Sequence, residues 1–413
     1  MIARRRRRLA IGAGVLALLA IGAALAIVLG SSSSSSPPGS APARVGTQDP
    51  PWGFTGSWRD YCYRSFATPP GYSAQVVPAV KPCPAGSRRF STEQQISLTA
   101  RAGAGIDRIA VHWGSVEPAP PRTVDGSRAH AYKWGPIARI YDAMLAAGVQ
   151  PVALAYGAPS WARRSGWSRP GVCAASHGKV CAYPPSRRHL ADWRAFVGAM
   201  LRRFPALVAL EVWNEPNLPR FFAPRPSPAL YSQLVKAAHR AAVDAGSSTP
   251  ILTAGLSVGA SDVKGGIGAP SFLTGVYRTA GKESFDGIGA HPYPRGPPRA
   301  ANMTTALDRL RRVRDRFGDA STPIWITEVG VGGTSGPRGK LSVRLPAQGP
   351  VLASMYRATQ GADIRSFIIY ALRDTPIEGP KFEPFGVVRA NLRPKPAYCY
   401  LARRLGGARL CGG

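Results

Sequence analysis

The chain has 413 residues, 45% of them hydrophobic, so it is long enough and apolar enough to bury a large core. Its formal net charge of +31 is spread over helix-like and loop-like stretches, and no nucleic-acid-binding motif accompanies it. The charge therefore fits a solvated basic surface or affinity for an anionic polymer of the cell envelope, and it gives no support for a nucleic-acid partner.

The N-terminus begins with a basic cluster that precedes an apolar stretch. Arg4 to Arg8 are followed by an uncharged run from Leu9 to Leu29. A bilayer span needs about 20 apolar residues, whereas a signal-peptide core has about 7–15. Residues 1–30 are therefore predicted to be a signal anchor with its arginines on the cytoplasmic side; a cleaved signal peptide is the alternative. Either reading places the rest of the chain on the extracellular side of the membrane or secretes it.

Residues 31–48 are rich in Ser, Pro and Gly, a composition that cannot pack a core and that predicts a disordered linker. Residues 49–413 remain as one folded domain. The six cysteines occur as near neighbours in the sequence, Cys62 with Cys83, Cys173 with Cys181, and Cys399 with Cys411. Because no CxxC spacing is present, structural disulfides are favoured over a metal site. Pairing within each couple is the simplest of fifteen possible arrangements, and the sequence cannot prove it.

From Pro50 onward, strand-like apolar runs alternate with amphipathic helix-like stretches, as is typical of βαβ units and a parallel sheet. The predicted strands are 52–54, 106–111, 151–156, 208–213, 250–254, 287–291, 323–327 and 366–370. The predicted helices are 92–102, 136–147, 190–204, 227–245, 271–280, 304–317, 350–360 and 396–405. Eight such pairs predict a (β/α)8 TIM barrel. An open doubly wound sheet is the alternative, but no phosphate-binding glycine-rich turn follows the first strand.

Two of the eight glutamates in the chain close predicted strands inside short polar-aromatic motifs. Glu215 follows the apolar run that starts at Val208, and Glu328 follows the run that starts at Pro323. A barrel aims catalytic side chains from the carboxyl ends of its strands, and strands four and seven lie across its mouth from each other. Two carboxylates that flank a sugar are the minimal machinery for breaking a glycosidic bond.

The segment Trp213-Asn214-Glu215-Pro216 resembles the strand-four signature of clan A glycoside hydrolases, and Thr327-Glu328 is similar to the clan's nucleophile site. The resemblance extends over residues 52–405 and is closest to families 5 and 39, which include cellulase-like and β-xylosidase-like enzymes. It implies a retaining β-glycoside hydrolase that acts by double displacement without metal or organic cofactor. It also implies that Glu215 is the acid/base, that Glu328 is the nucleophile, and that Asn214 contacts the sugar 2-hydroxyl.

Three further polar residues match positions that the clan uses near the nucleophile. His291 and Tyr293 end strand six, and the resemblance implies that the Tyr293 hydroxyl donates to Glu328. A turn-capping histidine and a rim tyrosine are the alternative interpretation. Arg108 on strand two resembles the arginine that pairs with the nucleophile. Its early position in the strand leaves an ion pair with a purely structural role as the alternative.

Three aromatic residues are candidates for sugar contacts because sugar C–H groups stack on π faces. Trp113 follows strand two, and Trp161 lies in the loop after strand three, where the resemblance to families 5 and 39 also points. Tyr370 ends strand eight, where many clan members carry a tryptophan platform.

Two other functions remain compatible with the sequence. One is a non-catalytic carbohydrate-binding or cell-wall-binding barrel of the same fold. The other is a basic surface module for anionic wall polymers, whose binding would weaken steeply with salt and would survive the change Glu328→Gln. An enzyme would lose turnover with that change and keep sugar binding.

Overall fold

The computed structural model describes residues 49–55, 60–68, 71–78, 83–166, 182–336, 339–361, 363–374 and 384–406. The predicted anchor 1–30 and linker 31–48 lie outside these residues, as do Cys173, Cys181 and Cys411. None of the helices within the described ranges is both long and apolar enough to cross a bilayer.

The strands of the described residues are numbered in chain order. They are β1 (Trp52–Thr55), β2 (Tyr61–Thr68), β3 (Gly71–Pro78), β4 (Arg88–Phe90), β5 (Ile106–His112), β6 (Arg122–Val124), β7 (Ser127–Ala129), β8 (Gln150–Tyr156), β9 (Ala209–Val212), β10 (Ile251–Leu252), β11 (Leu256–Ser257), β12 (Ile288–His291), β13 (Ile324–Val329), β14 (Gly332–Thr334), β15 (Ser342–Arg344) and β16 (Ile364–Tyr370). The helices are α1 (Thr92–Arg101), α2 (Trp113–Val116), α3 (Gly135–Ala146), α4 (Leu190–Arg203), α5 (Pro228–Asp244), α6 (Ala269–Ala280), α7 (Ala300–Arg316), α8 (Gln348–Arg357) and α9 (Pro396–Arg404).

The main sheet is parallel and has nine strand segments in the order β10-β9-β8-β5-β1-β16-β13-β12-β11. Its two end strands, β10 and β11, belong to one short chain segment. A parallel bridge between Leu252 and Gly287 and a 2.9 Å hydrogen bond from the Thr253 amide to the Gly287 carbonyl connect this segment to the start of β12. The architecture is therefore mixed α/β with a curled, TIM-barrel-like sheet.

Each predicted strand is present to within a few residues of its predicted bounds. The fifth strand, however, is interrupted. The prediction of one strand over 250–254 is wrong, because side chains capture the backbone amides in its middle. The Ala254 amide donates to the Tyr231 hydroxyl at 2.5 Å, and the Gly255 amide donates to the Glu211 carboxylate at 2.6 Å. These amides are unavailable to a neighbouring strand, so the segment divides into β10 and β11.

The predicted loop between the first strand and α1 instead contains a small sheet in the order β3-β2-β4. The predicted disulfide between Cys62 and Cys83 is confirmed and ties β2 to the segment before β4. Cys399 is also disulfide-bonded. The pairing of Cys173 with Cys181, and that of Cys399 with Cys411, stay predictions because three of those residues lie outside the described ranges.

Helix starts follow local capping chemistry. The Ser227 hydroxyl accepts a hydrogen bond from the Leu230 amide at 3.2 Å, and Pro228 occupies the first turn of α5. At α1, Ser91 and Gln94 form a reciprocal capping box. Such caps fix where each helix begins and therefore where the preceding loop must end.

The inside of the curled sheet is apolar at one level and polar at the next. Six residues from six strands form a separate apolar layer, Ile106, Val152, Ala209, Leu252, Trp325 and Ile368. Two residues further along β5 and β9, where strand alternation returns to the same face, stand Arg108 and Glu211. This change of chemistry marks the level at which the candidate site begins.

Candidate active site

An arginine within the barrel-like sheet joins three of the polar side chains at this level. Arg108 is 4% exposed, and its Nε donates to Glu211 Oε2 at 2.6 Å. Its Nη1 donates to Glu328 Oε2 at 3.1 Å, and its Nη2 donates to Asn214 Oδ1 at 2.8 Å. Burial lowers the pKa of Arg108, but the charges of Glu211 and Glu328 outweigh burial and the net shift is upward. The guanidinium is therefore a fixed positive charge between two carboxylates.

Glu211 holds this arginine in place. Its side chain is fully buried, and besides Arg108 it accepts hydrogen bonds from the Gly255 amide at 2.6 Å and from the Thr327 hydroxyl at 2.9 Å. A buried charge is tolerated only when it is paired and hydrogen-bonded, which these three donors provide. Glu211 has no opening to solvent, so its role is to orient Arg108.

Glu328 has donors on both carboxylate oxygens. Arg108 contacts Oε2, and the Tyr293 hydroxyl donates to Oε1 at 2.7 Å. Both contacts predicted from the sequence are thus present, and the side chain keeps 16% of its surface exposed. Burial first, and then the negative charge of Glu328, raise the pKa of Tyr293 far above its ordinary value, so the tyrosine remains a hydrogen-bond donor. The carboxylate is held in one orientation with an open approach.

Glu215 stands on a strained turn at the end of β9. Its φ is +38° and that of Trp213 is +71°, a left-handed region that costs about 1–3 kcal/mol for residues other than glycine. Packing holds the turn: Trp213 is fully buried, its Nε1 donates to the Phe221 carbonyl at 2.7 Å, and its ring meets Tyr156 edge-on at 4.8 Å. The backbone conformation of this turn sets the direction in which the side chain of Glu215 projects from the end of β9.

The partners of Glu215 differ from those of Glu328. His291 Nδ1 lies 3.1 Å from Glu215 Oε1, and Arg220 Nη2 lies 3.4 Å from Oε2. Burial raises the pKa of Glu215, but the hydrogen bond and charge of His291, followed by those of Arg220, lower it by more, so that the net shift is downward. Burial lowers the pKa of His291, whereas Glu328 and Glu215 raise it, and the net shift is upward. The ligand-free site therefore favours a proton on His291.

A glycine makes room for this histidine. A Cβ on Gly255 would lie 2.1 Å from the His291 ring and 2.7 Å from the Thr327 hydroxyl, so no larger residue fits there. His291 is fully buried, and its Nε2, which has no hydrogen-bond partner among the described residues, is 3.9 Å from Glu211 Oε1. The histidine therefore has one close partner, Glu215, with a second carboxylate behind it.

The two candidate tryptophans occupy different environments. Trp113 is fully buried, stacks on Phe196 at 5.6 Å, and donates from Nε1 to Glu117 Oε2 at 2.8 Å. Contrary to expectation, it has no exposed face to offer a sugar in this structure, because α2 turns it into the core. Trp161 is half-buried, and its Nε1 donates to the Glu117 carbonyl at 3.2 Å. Glu117 thereby connects the core tryptophan to the more exposed one.

Tyr370 lies half-buried at the end of β16. Its ring contacts Phe385 edge-on at 5.7 Å, and Phe385 also meets the ring of Tyr293 at 6.0 Å. The structure thus places Tyr370 on the same side of the site as the tyrosine that binds Glu328. Within the described ranges, no group of three or more His, Cys, Asp or Glu side chains is arranged to hold a metal ion.

Sequence reasoning did not single out three residues that hold the site together. They are Glu211, Gly255 and Asn217. The Asn217 side-chain amide donates to the carbonyls of Ser257 and Ile267 at 2.8 and 3.0 Å, and so fixes the loop after β11 to the loop that carries Glu215. A signal existed for Glu211, since it shares the inward strand face of Ala209 and interrupts an apolar run.

No family model and no curated protein sequence matches the chain. Solved structures do match by fold. A family 39 glycoside hydrolase from Bacteroides cellulosilyticus WH2 aligns with a TM-score of 0.57 and 19% identity, over 78% of this chain and 63% of that one. A GH39 β-xylosidase from Caulobacter crescentus aligns with a TM-score of 0.57 and 20% identity, over 75% of this chain and 66% of that one. The structure of XacCel5A in complex with cellopentaose aligns with a TM-score of 0.51 and 14% identity, over 86% of this chain and 99% of that one.

The chain covers less than two thirds of the length of these two family 39 structures. At such identities the likeness concerns the fold, and it agrees with the resemblance read from the sequence motifs. The fold of this chain is that of the clan A glycoside hydrolases of families 5 and 39.

Proposed function

We propose that the protein is a retaining β-glycoside hydrolase that acts on oligosaccharides or polysaccharides from a closed (β/α)8 barrel. The observation that carries the proposal is the contrast between two carboxylates at the ends of β9 and β13. Glu328 is held by a permanent cation and a tyrosine hydroxyl, which suits a nucleophile. Glu215 is held by His291, which can exchange a proton with it, and this suits an acid/base.

In the first step, Glu328 attacks the anomeric carbon and forms an ester bond while the glycosidic C–O bond breaks. The electron pair of that bond stays with the leaving oxygen, which takes a proton from Glu215. Arg108 holds Asn214 through its Oδ1, so the amide nitrogen of Asn214 is directed away from the arginine and can donate to the sugar 2-hydroxyl. That hydrogen bond strengthens in the transition state.

The proton required by Glu215 comes from the pair that it forms with His291. With Glu211 and Glu328, the cluster around this pair has three carboxylates against two arginines, Arg108 and Arg220, so it attracts a proton. The 3.1 Å contact lets His291 and Glu215 share that proton. A bound sugar excludes water and disfavours the charged forms of both partners, which moves the proton from His291 to Glu215. The lowered pKa of Glu215 in the empty site is thereby compatible with its role as an acid.

In the second step, Glu215 takes a proton from water, the water oxygen attacks the anomeric carbon, and the ester bond to Glu328 breaks. Two displacements return the original anomeric configuration. The glycoside hydrolases with a similar fold support a carbohydrate substrate for this chain. Trp161, in the loop after β8, and Tyr370, at the end of β16, are both half-buried and are proposed to contact the sugar.

The location proposed for this activity is the outer side of the cell membrane, with residues 9–29 as the anchor. The arginine cluster and span-length apolar run support it, and so does the Cys62–Cys83 disulfide, since such bonds persist in oxidising compartments. Residues 31–48 would then be the tether of the 49–413 domain.

The experiment is mechanism-based labelling. The protein and its Glu328→Gln variant are incubated with 2-fluoro β-glycosides that carry good leaving groups, across a panel of glycones, and intact mass is measured. We expect one glycosyl adduct on the native protein, mapped to Glu328, and none on the variant. Neutral-sugar binding that persists in both proteins without an adduct or product release would favour the non-catalytic binding barrel instead.

A further inference from the structure

An exposed arginine stands directly beside the proposed acid/base. The side chain of Arg220 is 71% exposed, whereas that of Glu215 is 6% exposed. One guanidinium nitrogen contacts Glu215 Oε2 at 3.4 Å, and the group lies over the Phe221 ring at 4.6 Å. Glu215 is the only carboxylate within 4 Å of Arg220 among the described residues. Most of the five N–H donors of the guanidinium are therefore exposed beside Glu215.

The loops around Arg220 carry positive charge with little to balance it. From Pro216 to Val243 the chain contains no Asp or Glu, while Arg220 and Arg225 lie in the loop that leads to α5. Asn217 fixes this loop to the loop after β11, which carries Lys264.

The only acid of that second loop is already paired. Asp262 lies 2.5 Å from a guanidinium nitrogen of Arg295. Arg295 in turn follows Tyr293 by two residues, so it belongs to the same rim of the site. The rim on this side of Glu215 therefore has an excess of cations.

A cavity further along this rim is also lined by positively charged side chains. It has a volume of about 240 Å³ and lies at the starts of α6 and α7, on the end of the sheet that carries the catalytic residues. Arg295 and Arg309 line it together with Asn302 and Thr305, and no carboxylate of the described residues does. Arginine is well suited to carboxylate, sulfate and phosphate groups because its planar donors bind two oxygens at once.

The position of Arg220 relative to Glu215 identifies the part of the substrate concerned. An acid/base must face the oxygen of the leaving group, and here His291 holds Oε1 while Arg220 touches Oε2. We propose that Arg220 forms an anion-binding subsite on the leaving-group side, and that the preferred substrates carry a carboxylate or a sulfate or phosphate ester there. This inference rests on the proposed function, because it assigns the leaving-group side from the role of Glu215.

Occupation of this subsite would also act on catalysis. In the empty site, Arg220 is one of the groups that lower the pKa of Glu215, after His291 and against the opposing effect of burial. An anionic group that pairs with Arg220 offsets its positive charge, so the proton on Glu215 becomes easier to hold. A substrate with the matching charge would then favour the protonated form of Glu215, which donates the proton to the leaving oxygen of that substrate.

The test measures binding apart from turnover. The full-length Glu328→Gln protein is titrated calorimetrically with 3-carboxyphenyl, 3-sulfophenyl and 3-carbamoylphenyl β-glycosides of glucose, xylose, mannose and galactose. These leaving groups have similar shapes and differ in charge. The titrations are repeated with Arg220→Gln added, and with Arg312→Gln added as a control that removes one exposed arginine on α7.

We expect the charged compounds to bind about five- to tenfold more tightly than the amide for the accepted glycone, roughly the effect of one charge-assisted hydrogen bond. Arg220→Gln should abolish this preference, and Arg312→Gln should keep it. The carboxylate and sulfonate arms show which anion is preferred. Equal affinities within every set, including no measurable binding, would overturn the inference, as would a preference that survives Arg220→Gln. Labelling of Glu328 in the native protein decides the proposed function separately.

Discussion

The two carboxylates of the site stand in contrasting surroundings. Glu328 is the more open, with 16% of its side chain exposed, and its partners Arg108 and Tyr293 keep their protonation states over the range in which enzymes work. Glu215 is 6% exposed, and its partner His291 can gain or lose a proton there. One half of the site thus holds a fixed charge and the other half moves a proton, as a double displacement requires of its nucleophile and its acid/base.

The fixed half depends most on the buried arginine, so Arg108→Gln should have the largest effect. It leaves Glu211 and Glu328 without their cation, which we expect to destabilise the fold by about 3–5 kcal/mol. Loss of the position of Glu328 should lower kcat/KM by at least about a hundredfold. Chemical denaturation and steady-state kinetics measure the two effects.

The control is Arg194→Gln, which removes an arginine of the same size from a surface pair with Asp244 in which both side chains are 46% exposed. It should cost less than about 1 kcal/mol. Similar losses of stability in the two variants would show that the buried ion pairs of Arg108 contribute no more to the free energy of unfolding than one exposed pair.

Removal of the second donor to Glu328 should have a smaller effect. Tyr293→Phe keeps the ring against Phe385 and deletes only the hydroxyl that donates at 2.7 Å. A hydrogen bond to a charged group is worth about 1.5–3 kcal/mol, so kcat/KM should fall by roughly 10- to 100-fold. Unchanged kinetics with the fold intact would mean that the contact is not used in the reaction.

Trp161 tests the sugar-binding surface and should affect binding more than chemistry. We expect Trp161→Ala to raise KM by about two- to tenfold, equivalent to the 0.5–1.5 kcal/mol of an aromatic contact, with kcat nearly unchanged. Trp161→Phe, which keeps an aromatic face, should recover most of the loss. A fall in kcat alone would instead tie Trp161 to the network of Glu117.

The proton-moving half is tested by a shift in pH dependence. His291→Asn retains an amide near the place of Nδ1 and removes the positive charge that, after burial has raised the pKa of Glu215, lowers it. The pKa of Glu215 should therefore rise. In the native protein, however, the basic limb of the kcat/KM profile marks loss of the proton that the pair shares, which His291 holds because its pKa is raised. With Glu215 alone to hold that proton, the limb should move to lower pH. A limb that stays in place or moves to higher pH contradicts the sharing of a proton between these residues.

Most of the fold could be predicted because its elements have strong local signals. Apolar runs bounded by Gly and Pro indicated the strand positions, and the predicted helix 227–245 agrees with α5 to within one residue at each end. The division of the fifth strand could not be predicted, because it depends on contacts of Tyr231 and Glu211 that exist only after folding. The sheet formed by β2, β3 and β4 was missed because it lies within a segment that reads as loop.

The site was predictable where chemistry coincides with a strand end, as for Glu215 and Glu328. The carboxylate that supports them was harder to find, since Glu211 lies within an apolar strand and its purpose depends on Arg108 from another strand. The two tryptophans show a further limit. Trp113 and Trp161 both follow strand ends in the sequence, but a single helical turn buries the first and leaves the second half-buried.

The most direct test of the two roles is azide rescue followed by NMR of the product anomer. Glu328→Ala and Glu215→Ala would each be given azide with the 2,4-dinitrophenyl β-glycoside of the glycone identified by labelling. Without its nucleophile, Glu328→Ala should yield the α-glycosyl azide by one displacement. Glu215→Ala keeps the glycosyl-enzyme and should yield the β-glycosyl azide by two. The opposite pair of anomers, or the same anomer from both variants, would contradict the assignment of Glu328 as nucleophile and Glu215 as acid/base.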